Sequence, residues 1–278
     1  MGYVRPTDLT TALAHLAERE WTVLAGGTDL YPATVAQHLG GDVLDINGLD
    51  DLRGISEADD GWRIGARTTW TDVVRADLPP AFQALQQAAR EVGSVQIQNS
   101  GTLAGNICNA SPAADGVPAL LVLDAEVELS AQTGRRTLPL GDFLTGPRST
   151  ALAPVELVTA VIVPRRSAQG VSTFAKLGAR KYLVISIAMA AVRMVMDGGR
   201  IADAAVSIGA CSAVAVRLTK VERVLVGAVA DATTSDLIQN THVAADLSPI
   251  DDVRGTAAYR VQAATELVRR AVAQVLAP

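Results

Sequence analysis

Apolar residues recur at helical spacing near the start of the chain. Leu9, Ala12, Leu13, Leu16 and Ala17 form one stripe, and Thr7 or Asp8 is placed to cap the helix. His15 falls off that stripe and reads as solvent-exposed. A short buried strand follows at Trp21–Ala25 and is broken by Gly26-Gly27. Val43–Ile46 and Trp62–Ala66 read as further short strands, with Asn47-Gly48 as a turn signal. Helices are predicted over Thr71–Ala76 and Ala81–Val92, separated by Pro79-Pro80. The second carries Phe82, Leu85, Ala88, Ala89 and Val92 on one side.

From Ser94 to Ser111 the pattern lapses into small and polar residues rich in Gly and Asn, with no helical period. A stretch of that length inside a compact domain points to a functional loop. Pro118–Leu123 then reads as a helical turn, Glu126–Leu129 as a strand and Leu140–Phe143 as a short helix or turn. Val158–Val163 is an apolar strand ended by Pro164. The polar stretch Arg165–Gly170 marks the expected domain boundary, giving domains of about 1–165 and 170–278, the first in two lobes of about 1–55 and 56–165. Strands are predicted at Val171–Lys176, Ile187–Met196 and Ala204–Gly209, and helices at Leu218–Leu225 and Gly255–Leu276. The last helix is expected to bury Ala258, Val261, Ala264, Leu267, Val268, Ala271 and Val275.

Composition narrows the function classes. The 278 residues are 49% hydrophobic and 19% charged, enough for a substantial core in one large domain or two ordinary ones. The net charge is -5 and Lys and Arg do not cluster, which argues against nucleic acid as a partner. Two distant cysteines, Cys108 and Cys211, make neither a disulfide framework nor a zinc or iron–sulfur site. Cys108 reads as a small buried hydrophobe. His15, His38 and His242 have no metal-ligand spacing. Met1–Pro6 lacks the apolar stretch of a signal peptide, and the longest apolar run, Leu183–Val192, is about half of what crosses a bilayer. The expectation is a cytoplasmic chain with no transmembrane segment.

Two loops carry candidate chemistry. In Ala25-Gly26-Gly27-Thr28-Asp29, a strand runs into adjacent glycines whose amides can point into one concavity and hold an anion, with the Thr28 hydroxyl as a further donor. Alone, such a loop also serves as an ordinary tight turn. The second loop, Ser100-Gly101-Thr102-Leu103-Ala104-Gly105-Asn106, again combines small residues, hydroxyls and an amide, and Asn109, Ser111 and Asp115 follow it. Two N–H-rich loops facing each other suit a pyrophosphate. Asp115 suits ribityl or ribose hydroxyls, since a carboxylate repels phosphate.

Val23–Leu30 and Thr102–Asp115 together resemble the FAD-binding medium subunit of the xanthine dehydrogenase and carbon monoxide dehydrogenase family. The likeness extends through Pro118–Val127, Phe174–Leu177, Tyr259-Arg260 and Leu267–Ala271. It implies an α+β fold, with a two-lobed FAD domain of the PCMH type followed by a smaller α/β domain of sheet plus helices. It implies FAD as cofactor, with Val23, Leu24, Ala25, Gly26, Gly27, Thr28, Asp29, Leu30, Thr102, Leu103, Ala104, Gly105 and Asn106 at the pyrophosphate and adjoining ribityl. Asn109 and Asp115 match further cofactor positions, Val158 an apolar residue against the flavin ring, and Lys176 a basic residue near the ring's polar edge. By itself Lys176 is equally compatible with an exposed surface lysine.

The implied partners are a large molybdenum-cofactor subunit, a small [2Fe-2S] subunit and an electron acceptor such as NAD or oxygen. Thr28-Asp29 departs from the His-Ser associated with carbon monoxide dehydrogenase and favours a heterocycle, purine or aldehyde hydroxylase. Arg180-Lys181-Tyr182-Leu183 lacks the acidic residue often found after the lysine, which leaves the acceptor open. No nucleophile–base pair is visible, as expected where a cofactor carries the chemistry. The competing readings are a stand-alone FAD-dependent oxidase of the same fold and a non-catalytic scaffold that lost FAD.

Overall fold

The computed structural model describes residues 2–35 and 39–277, so His38 lies outside the described residues. The chain opens with β1 (Tyr3–Val4), α1 (Leu9–Glu18), β2 (Thr22–Leu24), α2 (Leu30–Ala33) and β3 (Val43–Asp45). Asp8 caps α1, its carboxylate accepting from the Thr11 N–H. Ala12, Leu13 and Leu16 are buried, whereas Ala17 is exposed. His15 is half-buried rather than exposed, because its ring stands edge-on to Trp21 at 5.5 Å. β1 and β2 flank β3 in a parallel sheet. Between this sheet and α1 lies a small core that includes Leu44, Ile46, Leu49 and Leu157.

The middle of the chain forms β4 (Ile55–Ala58), β5 (Gly61–Gly65), α3 (Trp70–Arg75), α4 (Gln83–Glu91), α5 (Val95–Ser100), α6 (Leu103–Asn109), α7 (Gly116–Leu121), β6 (Glu126–Ala131), β7 (Gly134–Pro139), α8 (Leu140–Phe143), β8 (Leu144–Gly146), β9 (Ser149–Thr150) and β10 (Leu157–Pro164). An antiparallel sheet in the order β4-β5-β10-β6-β7 packs its apolar positions against Trp70, Leu85, Ile107 and Leu120. The aperiodic segment Ser94–Ser111 is not a loop throughout: it holds α5 and α6. Side-chain caps start both, with Ser94 accepting from Ile97 N–H and Thr102 accepting from Gly105 N–H. Helices this short need no long apolar stripe, so periodicity misses them. β7 is also absent from the apolar pattern, because it is an edge strand whose side chains are mostly exposed.

The remainder comprises β11 (Val171–Leu177), β12 (Ala188–Asp197), β13 (Arg200–Gly209), β14 (Val216–Arg217), α9 (Thr219–Leu225), α10 (Asn240–Ala244) and α11 (Ala257–Leu276). The four strands pair antiparallel in chain order. Their sheet is covered on both faces. Met189 and Ala191 join the core beneath α4 and α7, and Ala188, Ala190, Val192 and Met194 join the core beneath α9 and α11. Ala258 is exposed and Val261 half-buried; the buried stripe of α11 runs through Ala263, Ala264, Leu267, Val268, Ala271, Val272 and Val275. Arg260 takes the seam position one turn earlier, its buried guanidinium donating to the Ile187 and Ala210 carbonyls and to Asp252. The architecture is the α+β arrangement expected. Among the described residues no helix is long and apolar enough to cross a membrane.

Candidate functional site

β2 delivers the chain into Ala25–Asp29, and α2 begins directly after it. Gly27 has φ +69°, a left-handed conformation that glycine adopts without a steric penalty. The Gly26 backbone rests on the end of α5: a Cβ there would lie 2.0 Å from the Ser100 carbonyl oxygen. Gly101 returns the contact, since a Cβ on it would lie 3.2 Å from Thr28 Oγ1. The two glycine-rich loops therefore touch, and the absence of side chains is what lets them.

A cavity of ≈ 360 Å³ opens beside this contact. Val23, Leu24, Ala25, Gly26, Gly27, Thr28, Asp29 and Leu30 line it, together with Thr102, Ala104, Gly105, Asn106 and Val158. Sequence reasoning missed Ile46, Trp70, Val92, Ile97, Leu152 and Glu156, which are among the other residues of the wall. Ile97 lies inside the small, polar segment already singled out, and Glu156 lies two residues before Val158; the others have no local signal. Glu156 is held ionised, below the usual carboxylate range, chiefly by its hydrogen bonds from Arg136.

The wall leaves polar groups without partners. Among the described residues nothing accepts from the backbone N–H of Gly26, Gly27, Thr28 or Asp29. Asn106 Oδ1 is buried with no hydrogen-bond partner. An orphaned buried acceptor is costly, and a run of free amides in a concavity is a ready anion site. The residues present fit FAD: phosphate oxygens suit the amides, a hydroxyl suits Asn106 Oδ1, and Trp70, Val92, Ile97 and Val158 suit aromatic rings.

The remaining expected residues stand outside this wall. Leu103 is fully buried, and its N–H donates to the Thr68 carbonyl. Asn109 reaches across to the first loop, its Nδ2 donating to Asp29 Oδ1 at 2.6 Å. Asp115 is engaged by its own fold at both carboxylate oxygens: Ser186 Oγ donates to one and Lys176 Nζ to the other, each at 2.6 Å. Burial pushes the Asp115 carboxyl above its ordinary range, against the opposing pull of Lys176. Lys176 is not a surface lysine, since its side chain is 8% exposed. It borders a second cavity of ≈ 540 Å³ with Gln87, Glu91 and Phe174. Cys108 is half-buried against the first cavity, and burial raises its thiol to about 12, so it is not a reactive thiolate. Among the described residues no group of three or more His, Cys, Asp or Glu is placed to hold a metal ion.

Comparison with known proteins agrees with this geometry. Residues 1–166 match the family described as the FAD binding domain in molybdopterin dehydrogenase, and residues 173–275 match the CO dehydrogenase flavoprotein C-terminal domain. The glyceraldehyde dehydrogenase medium chain of Sulfolobus acidocaldarius is 31% identical, over 99% of this chain and 98% of its own length. The xanthine dehydrogenase FAD-binding subunit of Escherichia coli O157:H7 is 29% identical over 99% and 96%. The carbon monoxide dehydrogenase medium chain of Afipia carboxidovorans is 31% identical over 97% and 94%. A solved structure of reconstituted CO dehydrogenase from Oligotropha carboxidovorans superposes with a TM-score of 0.90 at 29% identity, covering 99% of this chain and 97% of the other. With both halves matched and the cavity suited to the cofactor, the chain belongs to the molybdopterin-dehydrogenase flavoprotein family, as an FAD-binding oxidoreductase subunit of the molybdenum hydroxylases.

Proposed function

We propose that this chain is the electron relay of a three-part cytoplasmic enzyme. A large subunit holds the molybdenum cofactor that oxidises the substrate, and a small subunit holds [2Fe-2S] clusters. FAD, bound here, supplies the redox chemistry that links those clusters to an acceptor such as NAD or oxygen. The observation that carries this reading is that Gly26–Asp29, whose amides have no acceptor among the described residues, and Asn106, whose buried oxygen has no partner, line one cavity.

The chain's own residues bind and orient. In this reading Val23–Leu30 and Thr102–Asn106 hold the pyrophosphate and ribityl, Val158 and the other apolar wall residues exclude water from the ring, and Asn109 steadies Asp29. Asp115 fixes Lys176, whose charge offsets negative charge at the ring's polar edge. The FAD domain spans about 1–165, in lobes of about 1–55 and 56–165, and the second domain about 170–278. Thr28-Asp29 and the glyceraldehyde and xanthine dehydrogenase relatives favour an aldehyde, purine or heterocycle as the complex's substrate.

Purifying the tagged full-length chain from its own cells tests the reading. A yellow complex containing molybdenum and iron–sulfur subunits, whose flavin band bleaches with substrate and recovers with NAD or oxygen, is the expected result. Turnover of alcohols by the chain alone would instead favour a self-sufficient oxidase. A colourless chain that stays colourless with added FAD would leave only the scaffold.

A further inference from the structure

The wall of the proposed FAD cavity is electrostatically one-sided. Among the described residues it contains two carboxylates, Asp29 and Glu156, and no Lys, Arg or His. A pyrophosphate adds further negative charge, and amide dipoles alone meet all of it unless a cation stands near. Glu156 is already compensated: Arg136 Nε and Nη2 donate to its two oxygens at 2.6 and 2.8 Å. Asp29 accepts instead from a neutral group, Asn109 Nδ2.

Asn109 leads to a cation. Arg148, in the β8–β9 turn, donates through Nη1 to Asn109 Oδ1 and, at 3.3 Å, to the Asn109 backbone carbonyl. It therefore stands one side chain away from Asp29 and the free amides. Among the described residues no acceptor engages its Nε or Nη2, and no carboxylate pairs with it. The turn is firmly set. Arg148 has φ +58° and donates its N–H to the carbonyl of Ala110, which itself has φ +46°. Left-handed backbone at residues other than glycine persists where the surroundings hold it in place.

We propose that Arg148 is the cation of the dinucleotide site: it supplies the positive charge that the phosphate-bearing part of FAD requires, and Asn109 couples it to Asp29. Arginine suits the task, because its planar fork keeps two donors for phosphate while a third holds Asn109. The inference rests on the assignment of this cavity to FAD.

The test titrates the full-length chain, stripped of flavin, with FAD, ADP and riboflavin across a salt series. Arg148→Met is expected to weaken FAD and ADP about tenfold and to flatten their salt dependence, while riboflavin affinity and melting temperature stay unchanged. Arg148→Lys should recover part of the loss, and Asn109→Ala should lose less than Arg148→Met. Unchanged FAD affinity and salt slope in Arg148→Met would overturn the proposal. So would an equal loss for riboflavin, which would make Arg148 a structural residue only. A wild-type chain that binds none of the three ligands defeats the FAD assignment itself, and this inference with it.

Discussion

Asp29 and Asp115 each follow a stretch of small residues, yet the fold treats their surroundings in opposite ways. Around Asp29 the amides of Gly26–Asp29 find no acceptor among the described residues, and the nearby Asn106 oxygen is buried and unpaired. Around Asp115 every strong group is matched: Lys176 and Ser186 take its two oxygens, and the residue is 8% exposed. Folded chains pair almost all buried polar groups. The first region is thus incomplete in the way a binding site is, and the second is complete in the way a structural joint is. The joint spans sequence separations of 61 and 71 residues, tying the start of α7 to β11 and to the segment before β12.

The contrast breaks most visibly at Gly26. Gly26→Val would drive side-chain atoms into the Ser100 carbonyl, from which even a Cβ is only 2.0 Å away. The two loops would be forced apart and the cavity wall they form would be disrupted. The expected outcome is complete loss of retained flavin, read as the ratio of flavin absorbance to protein, with the far-ultraviolet dichroism preserved. The pair Gly27→Val with Gly105→Val should do the same, because Gly27 sits at φ +69° and a Cβ on Gly105 would lie 2.8 Å from Thr102 Oγ1. Full flavin content in either variant would remove these loops from the site.

Asp115→Ala attacks the other region, and its effect falls on stability. It leaves the Lys176 ammonium buried without its partner, a change that costs about 3–5 kcal/mol where neither group can reach water. Urea unfolding of the full-length chain measures this. A loss below about 1 kcal/mol would mean that Lys176 escapes to solvent, and the joint would then be no joint.

These two regions were unequally legible in the sequence. The glycines and small residues at 25–29 and 100–106 announce close backbone approach locally, and the same residues meet in the structure. The doubly covered strand β12 was legible as an apolar run, for the same local reason. The joint was not, because a lone lysine and a lone aspartate far apart in the chain carry no sign that they will pair. Taken locally, Asp115 shows only an acceptor and no sign of Lys176 or Ser186. Trp70 and Leu152 carry no local sign for a related reason: tertiary packing, not a local motif, brings them to the cavity. The helices α5 and α6 were missed because caps at Ser94 and Thr102 start them where no apolar period exists.

A smaller effect separates cost from use at Asn106. Its oxygen has no partner within the ligand-free fold and can accept from a donor on the ligand. Asn106→Leu should therefore stabilise the flavin-free chain by about 1 kcal/mol while weakening FAD about tenfold. Thermal unfolding without flavin and fluorescence titration with FAD read the two sides. Stability and affinity falling together would show that the oxygen has a partner within the fold.

The smallest expected effect is a difference in sign on the acid limb. Asp252 is held down to about 2, first by the Arg254 backbone N–H and then by Arg260. Asp115 is shifted the other way by burial. For Asp252 the folded value lies below the ordinary 3.8, so its stabilisation is present above 3.8 and disappears as pH falls toward 2. For Asp115 the folded value lies above 3.8, so its contribution is present below 3.8 and is lost as pH rises through the folded value. Asp252→Asn should flatten the fall in stability below 3.8, whereas Asp115→Asn should remove an opposing slope and leave the rise from acid toward neutral steeper. Urea midpoints over a pH series distinguish the two. Parallel changes in both variants would mean that Asp115 is governed by its ion pair rather than by its burial, and the fold would then be treating it as an ordinary paired carboxylate.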